Sequence, residues 1–141
     1  MSQTAAGSQG EVAEIIPAEL RDLLERPLHA HLATVRPDGT PQVNPTWVRF
    51  DGTYLWLTTT GSRQKTRNWR RQPMVALSIM DPDKTWRYLE VRGRVERIVP
   101  DPGGAEFLRL AERYHMPQPG PPEDAADRIA VAIRPFHTTT M

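Results

Sequence analysis

Between Ala30 and Arg134 much of the chain alternates in steps of two, and proline- and glycine-led turns cut the alternation into short pieces. A period of two places successive side chains on opposite faces, as a β-strand does and an amphipathic helix does not. Ala30, Leu32 and Thr34 point one way while His31, Ala33 and Val35 point the other. Pro37-Asp38-Gly39-Thr40 then reads as a turn, with proline presetting one dihedral and glycine supplying a positive φ. A strand over residues 41–50 follows, Asp51-Gly52 is a strong hairpin signal, and residues 53–60 alternate again. These three strands are expected to form a meander. A fourth strand over 74–81 carries Val75, Leu77 and Ile79 on one face. A fifth, over 86–99, sets Leu89, Val91, Gly93 and Val95 against Glu90, Arg92, Arg94 and Glu96, with Gly93 marking a bend or bulge. The last, over 128–134, carries Ile129, Val131 and Ile133. Helical spacing is confined to residues 17–26, 61–72 and 105–114. Six antiparallel strands with few helices and no βαβ alternation predict a mainly β fold, a small closed or half-closed barrel.

A chain of 141 residues suits one domain, expected over residues 16–141 after a flexible tail over 1–15. Cysteine is absent, which removes disulfides, thiolate metal sites and cysteine nucleophiles, so redox chemistry would need a bound cofactor. The net charge of +1, from 18 basic and 17 acidic residues, is not that of a nucleic-acid-binding surface. No apolar run approaches the ~20 residues that span a bilayer. The small polar residues 1–10 lack the features of a signal peptide, so a soluble cytoplasmic protein is expected.

The basic charge is concentrated. Residues 62–71 hold five of the 18 cations and no acid. Arg63 and Lys65 fall at the start of the expected helix, where the backbone dipole already presents positive charge and acidic residues are preferred. Cations over free backbone N–H groups suit an anion, and Ser62, Thr58, Thr59 and Thr60 add hydroxyls. A phosphate cradle is the reading these residues favour; a merely solvated arginine-rich helix and a small nucleic-acid patch are the alternatives. Asn44-Pro45-Thr46-Trp47 interrupts a strand with proline, which either exposes backbone groups to the polar edge of a heterocycle or blunts a sheet edge. Trp86 and Tyr88, two apart on the expected fifth strand, either wall a planar ligand or belong to the core. His29 and His31 have no third ligand nearby, and no acid–base or nucleophile motif assigns a catalytic side chain. Any catalysis would rest on a cofactor, which the protein binds and orients.

In this order, three stretches, followed by Arg128 to Pro135 as a closing strand, resemble the pyridoxamine 5′-phosphate oxidase-like split β-barrel superfamily. They are His31-Leu32-Ala33-Thr34-Val35 with Asp38-Gly39-Thr40-Pro41-Gln42-Val43, then Lys65-Thr66-Arg67-Asn68-Trp69-Arg70-Arg71, then Arg87-Tyr88-Leu89-Glu90-Val91-Arg92-Gly93. The closer likeness is to its deazaflavin (coenzyme F420)-dependent oxidoreductases, over about residues 15–135. The resemblance implies a six-stranded split barrel that forms a homodimer, with a flavin-like cofactor at the subunit interface. It implies that Arg63, Lys65 and Asn68, with Ser62 and Arg67, bind the cofactor phosphate. Asn44, Pro45, Thr46 and Trp47 would border the ring, and the partner would contribute from Trp86 to Tyr88. Implied chemistry is hydride transfer between reduced F420 and a small conjugated substrate such as an enone, a quinone or a tetrapyrrole. An FMN- or haem-binding relative and a non-enzymatic F420 carrier are the alternatives. The chain lacks the C-terminal Trp and Arg segment of the vitamin B6 oxidases, so that substrate is not expected.

Overall fold

The computed structural model describes residues 15–141. The tail expected over residues 1–15 therefore lies, except for Ile15, outside the described residues. After a 3-10 turn at Ala18–Leu20 and a short helix α1 (Asp22–Glu25), seven strands follow among the described residues. They are β1 (Ala30–Val35), β2 (Pro41–Thr46), β3 (Arg49–Phe50), β4 (Leu55–Thr60), β5 (Met74–Met80), β6 (Tyr88–Pro100) and β7 (Arg128–Thr139). Helix α2 (Gln64–Arg71) joins β4 to β5, and α3 (Ala105–Arg113) stands between β6 and β7.

All seven strands pair antiparallel in one sheet ordered β2-β1-β5-β6-β7-β4-β3. β2 and β3 follow each other in the chain yet occupy opposite edges of that sheet. Only Trp47 and Val48 separate them. Three Cα–Cα steps reach at most about 11 Å, so the sheet has to curl until its edges approach. The result is a split barrel, as expected in class. Two expectations are corrected by the same corner: the strand over 41–50 is broken in two, which gives seven strands instead of six, and no three-strand meander forms. β4 pairs with β3 on one side and with β7 on the other, away from β1 and β2. Pro45 lies in edge strand β2, where a missing N–H interrupts no second ladder.

The inner face follows the alternation read from the sequence. Leu32, Leu77 and Val91 stand in register across β1, β5 and β6, and Leu57 and Val131 across β4 and β7; all five are buried. Each such side chain contributes roughly 1.5–3 kcal/mol by leaving water. Leu20, Leu23, Leu24 and Ile16 close one side, and Trp69 packs from α2. Gly93 sits at a register shift between β6 and β7, where a Cβ would lie 2.6 Å from Ile133 Cγ2 and 2.9 Å from the Arg134 carbonyl oxygen. Only glycine lets the two strands approach this closely.

Trp86 corrects another expectation. β6 begins at Tyr88, so Trp86 lies in the turn before it, 63% exposed, and shares no strand face with Tyr88. Arg87 fixes this hairpin by donating to Asp81 (2.9 Å), Asp22 (2.6 Å) and the Glu19 carbonyl (2.7 Å). No helix of the described residues is long and apolar enough to cross a membrane.

Candidate functional site

The strand end of β4, the start of α2 and the start of β7 meet because Thr60 pairs with Arg128. Hydrogen bonds then fix the loop between β4 and α2. The Gly61 N–H donates to the Asp127 carbonyl at 2.9 Å, and the Ser62 hydroxyl donates to the Asp127 carboxylate at 2.7 Å. That hydroxyl bond is the main reason the Asp127 pKa is lowered, with the Ser62 and Gly61 N–H groups adding to it. Thr66 donates to the Thr60 carbonyl at 2.7 Å, and Arg67 donates to the Ser62 carbonyl and to Gln64, both at 2.7 Å. Asn68 is fully buried; its amide donates to the Thr34 hydroxyl at 2.9 Å and accepts from Gln64 at 2.8 Å. Ser62, Arg67 and Asn68 therefore build the loop in this structure.

Arg63 and Lys65 stand differently. Arg63 is the N-cap of α2, in extended conformation, and its side chain makes no capping bond. Among the described residues neither its guanidinium nor the Lys65 ammonium has a hydrogen-bonding or ion-pair partner. Both line two adjoining clefts of about 310 and 350 Å³ that also share Pro45. Trp47, Phe107, His29, Thr46, Thr58, Thr59 and Arg128 complete the first cleft, and Gln42, Asn44 and Gln64 the second. Neither lining contains a carboxylate. Lys65 is half-buried, and burial first, then the charges of Arg63 and Arg128, hold its pKa below the ordinary lysine value. Three cations thus repel one another around a concave space, an arrangement that an anion relieves.

The first cleft also has an aromatic lining. The corner between β2 and β3 seats Trp47 on Tyr114, with ring centroids 5.4 Å apart and planes 16° from parallel, and 6.0 Å from Phe107 of α3. His29 meets the Tyr114 ring edge-on at 5.5 Å. Tyr114 is anchored through its hydroxyl, which accepts from the Val48 N–H at 2.9 Å and lies 2.7 Å from the Leu28 carbonyl that it donates to. Burial raises its pKa.

Of the residues singled out in the sequence, the fold gathers Pro45, Thr46, Trp47, Thr58, Thr59, Arg63 and Lys65 in one cleft and Asn44 in the next. Trp86 and Tyr88 of the same chain line neither. Arg128, Phe107 and His29 were missed. Arg128 is buried, donates to the Thr58 hydroxyl at 2.7 Å, lies 4.8 Å over the Phe107 ring and keeps a buried Nε without a partner. A signal existed, since Arg128 directly precedes the apolar run of residues 129–133, and an arginine beside a core strand is rarely buried unless it is paired. Its partner Thr58, 70 residues away, was not legible.

Comparison with known proteins agrees with this architecture. A solved F420 reductase is 54% identical, covering 89% of this chain and 100% of that one, with a TM-score of 0.87. A conserved hypothetical protein of Mycobacterium tuberculosis is 27% identical, covering 98% and 88%, with a TM-score of 0.69. The haem storage protein HutZ of Vibrio cholerae, 13% identical over 89% and 94% with a TM-score of 0.64, shows the fold alone. The sequence model of the pyridoxamine 5′-phosphate oxidase family matches residues 16–140, nearly the whole described chain, and the chain belongs to that family.

Proposed function

We propose that this protein is an F420-dependent oxidoreductase whose cleft holds the deazaflavin. The observation that carries the reading is the pair of cations without partners among the described residues, Arg63 and Lys65, which with buried Arg128 line an aromatic cleft without carboxylates. The residues fit the coenzyme: cations and the Thr58 and Thr59 hydroxyls suit a phosphate, while Trp47 and Phe107 offer apolar surface to a ring. The 54% identity to an F420 reductase supports the choice of deazaflavin. When bound, this coenzyme supplies hydride chemistry toward a small conjugated substrate such as an enone, a quinone or a tetrapyrrole. The chain's part is to anchor the anionic end, to set the ring against Trp47 and to keep water from that face.

Titration of the purified protein with F420 and with FMN tests this. Micromolar affinity for F420, none for FMN and oxidation of the reduced deazaflavin by a member of a substrate panel are expected. FMN binding alone, or copurified haem, would replace the reading by one of its alternatives; F420 binding without turnover on any substrate would leave a carrier.

We also propose a homodimer. Val43, Ala33, Ala76 and Arg92 stand in register on the outer face of β2, β1, β5 and β6, with Val43 63% exposed, and a second copy would cover this row. It would bring its own Trp86 toward the cleft. Sedimentation is expected to give twice the 16.0 kDa chain mass, and a monomer at every concentration refutes it.

The Lys65 environment sets a pH dependence. In the free protein its pKa is lowered, so above that value binding a phosphate has to take up a proton. Affinity is therefore expected to fall with rising pH, up to tenfold per unit, starting below the ordinary lysine pKa of 10.5. A Lys65→Arg variant, which does not titrate there, should lose the slope. The same lowering acts oppositely on the free fold. The unfolded chain holds the proton to higher pH, so stability rises through that window.

A further inference from the structure

Of the 18 basic residues only Lys65 and Lys84 are lysines. Lys84 is exposed in the turn between β5 and β6. Lys65 is half-buried where the two clefts join. The ionisable groups that line its space are Arg63 at the start of its own helix, Arg128 from β7 and His29 ahead of β1. No carboxylate stands among them, and the ammonium has no partner among the described residues.

An amine attacks only in its neutral form, and desolvation beside other cations is how a lysine gains that form near neutral pH. Burial, Arg63 and Arg128 act on Lys65 in this direction. An arginine at this position would carry the same charge but could not deprotonate. Trp47 and Phe107, with ring centroids 6.0 Å apart, form one aromatic patch of the lining against which a flat guest can lie, while Arg63 and Arg128 favour an anionic one. A space of about 310 Å³ admits a single substituted ring.

We propose that Lys65 is a reactive amine that captures aromatic aldehydes bearing an anionic substituent. Its neutral Nζ adds to the carbonyl carbon, the C=N bond forms, and the carbonyl oxygen departs as water with the two amine protons. No oxidant or reductant takes part. The inference goes beyond the coenzyme reading and does not depend on it.

The full chain, treated at neutral pH with 4-formylbenzoate and then cyanoborohydride, reports the imine as a stable secondary amine at a mapped position. Peptide mass spectrometry separates Lys65 from Lys84 and from the α-amino group. Lys65 is expected to be labelled about tenfold more than Lys84, with the preference reduced for uncharged 4-methylbenzaldehyde and suppressed by excess inorganic phosphate. The Arg63→Gln variant, changed at an exposed position, is expected to favour the charged aldehyde less. Equal labelling of the two lysines, or a Lys65 preference indifferent to the carboxylate, to phosphate and to Arg63, overturns the proposal. A protein that binds F420 but labels Lys65 no faster than Lys84 overturns it alone and leaves the coenzyme reading standing.

Discussion

Replacing Arg63 and Lys65 together by alanine is expected to weaken binding of a phosphate-bearing coenzyme by about 3 kcal/mol, roughly a hundredfold in Kd. Each side chain alone should account for about 1–3 kcal/mol, the range for a hydrogen bond to a charged group. Neither makes a bond that the fold needs, and removing them relieves repulsion on Arg128, so thermal stability should hold or rise slightly. Isothermal titration of the double variant beside its melting curve separates the two effects. Affinity equal to that of the unaltered chain would mean that the anion sits elsewhere. Arg128→Ala is a poorer test, because that arginine is buried against Thr58 and Phe107 and its loss would disturb both.

Glu106→Ala carries the largest expected effect on the fold. Glu106 receives two bonds from Arg49, at 2.7 and 2.8 Å, and their side chains are only 8% and 19% exposed. Removing the carboxylate strands a largely buried guanidinium at a cost of about 3 kcal/mol. For a chain of this size that lowers Tm by about 10 °C. The pair joins two-residue strand β3 to the first turn of α3, and the next residue of α3 is the cleft wall Phe107. Affinity for the coenzyme should therefore fall with stability, unlike in the Arg63 and Lys65 variant. Replacing both partners, Arg49→Met with Glu106→Leu, should recover most of the loss, since no charge is then left unpaired. A single-variant loss under about 0.5 kcal/mol in urea unfolding would show that the pair behaves as a surface contact.

Strand content was legible wherever one face is dry, because the period of two is a direct record of that face. Leu89, Val91, Gly93 and Val95 are buried and Arg92, Arg94 and Glu96 exposed, as the alternation requires. The hairpin at Asp51-Gly52 was equally plain, and the Asp51 carboxylate accepts from the N–H groups of Thr53 and Tyr54 and from the Trp56 indole. The break at Trp47 and Val48 was not legible. Both residues fit a strand, and what bends the chain there is the closure of the sheet, a long-range event.

Within the site, the sequence marked the cations by their wrong-way placement at a helix start, a local electrostatic conflict visible without coordinates. It could not divide them by task. Arg67 and Asn68 stand on the same short helix as Lys65, yet they are held by Ser62, Gln64 and Thr34 while Lys65 stays free. Local spacing thus determined the strands, the turns and the cationic loop, since each depends on neighbours within a few residues. The tertiary structure alone decided that Arg128, Phe107 and His29 face that loop and which cations remain unpaired, because those contacts depend on the curl of a sheet whose edges the chain joins through two residues.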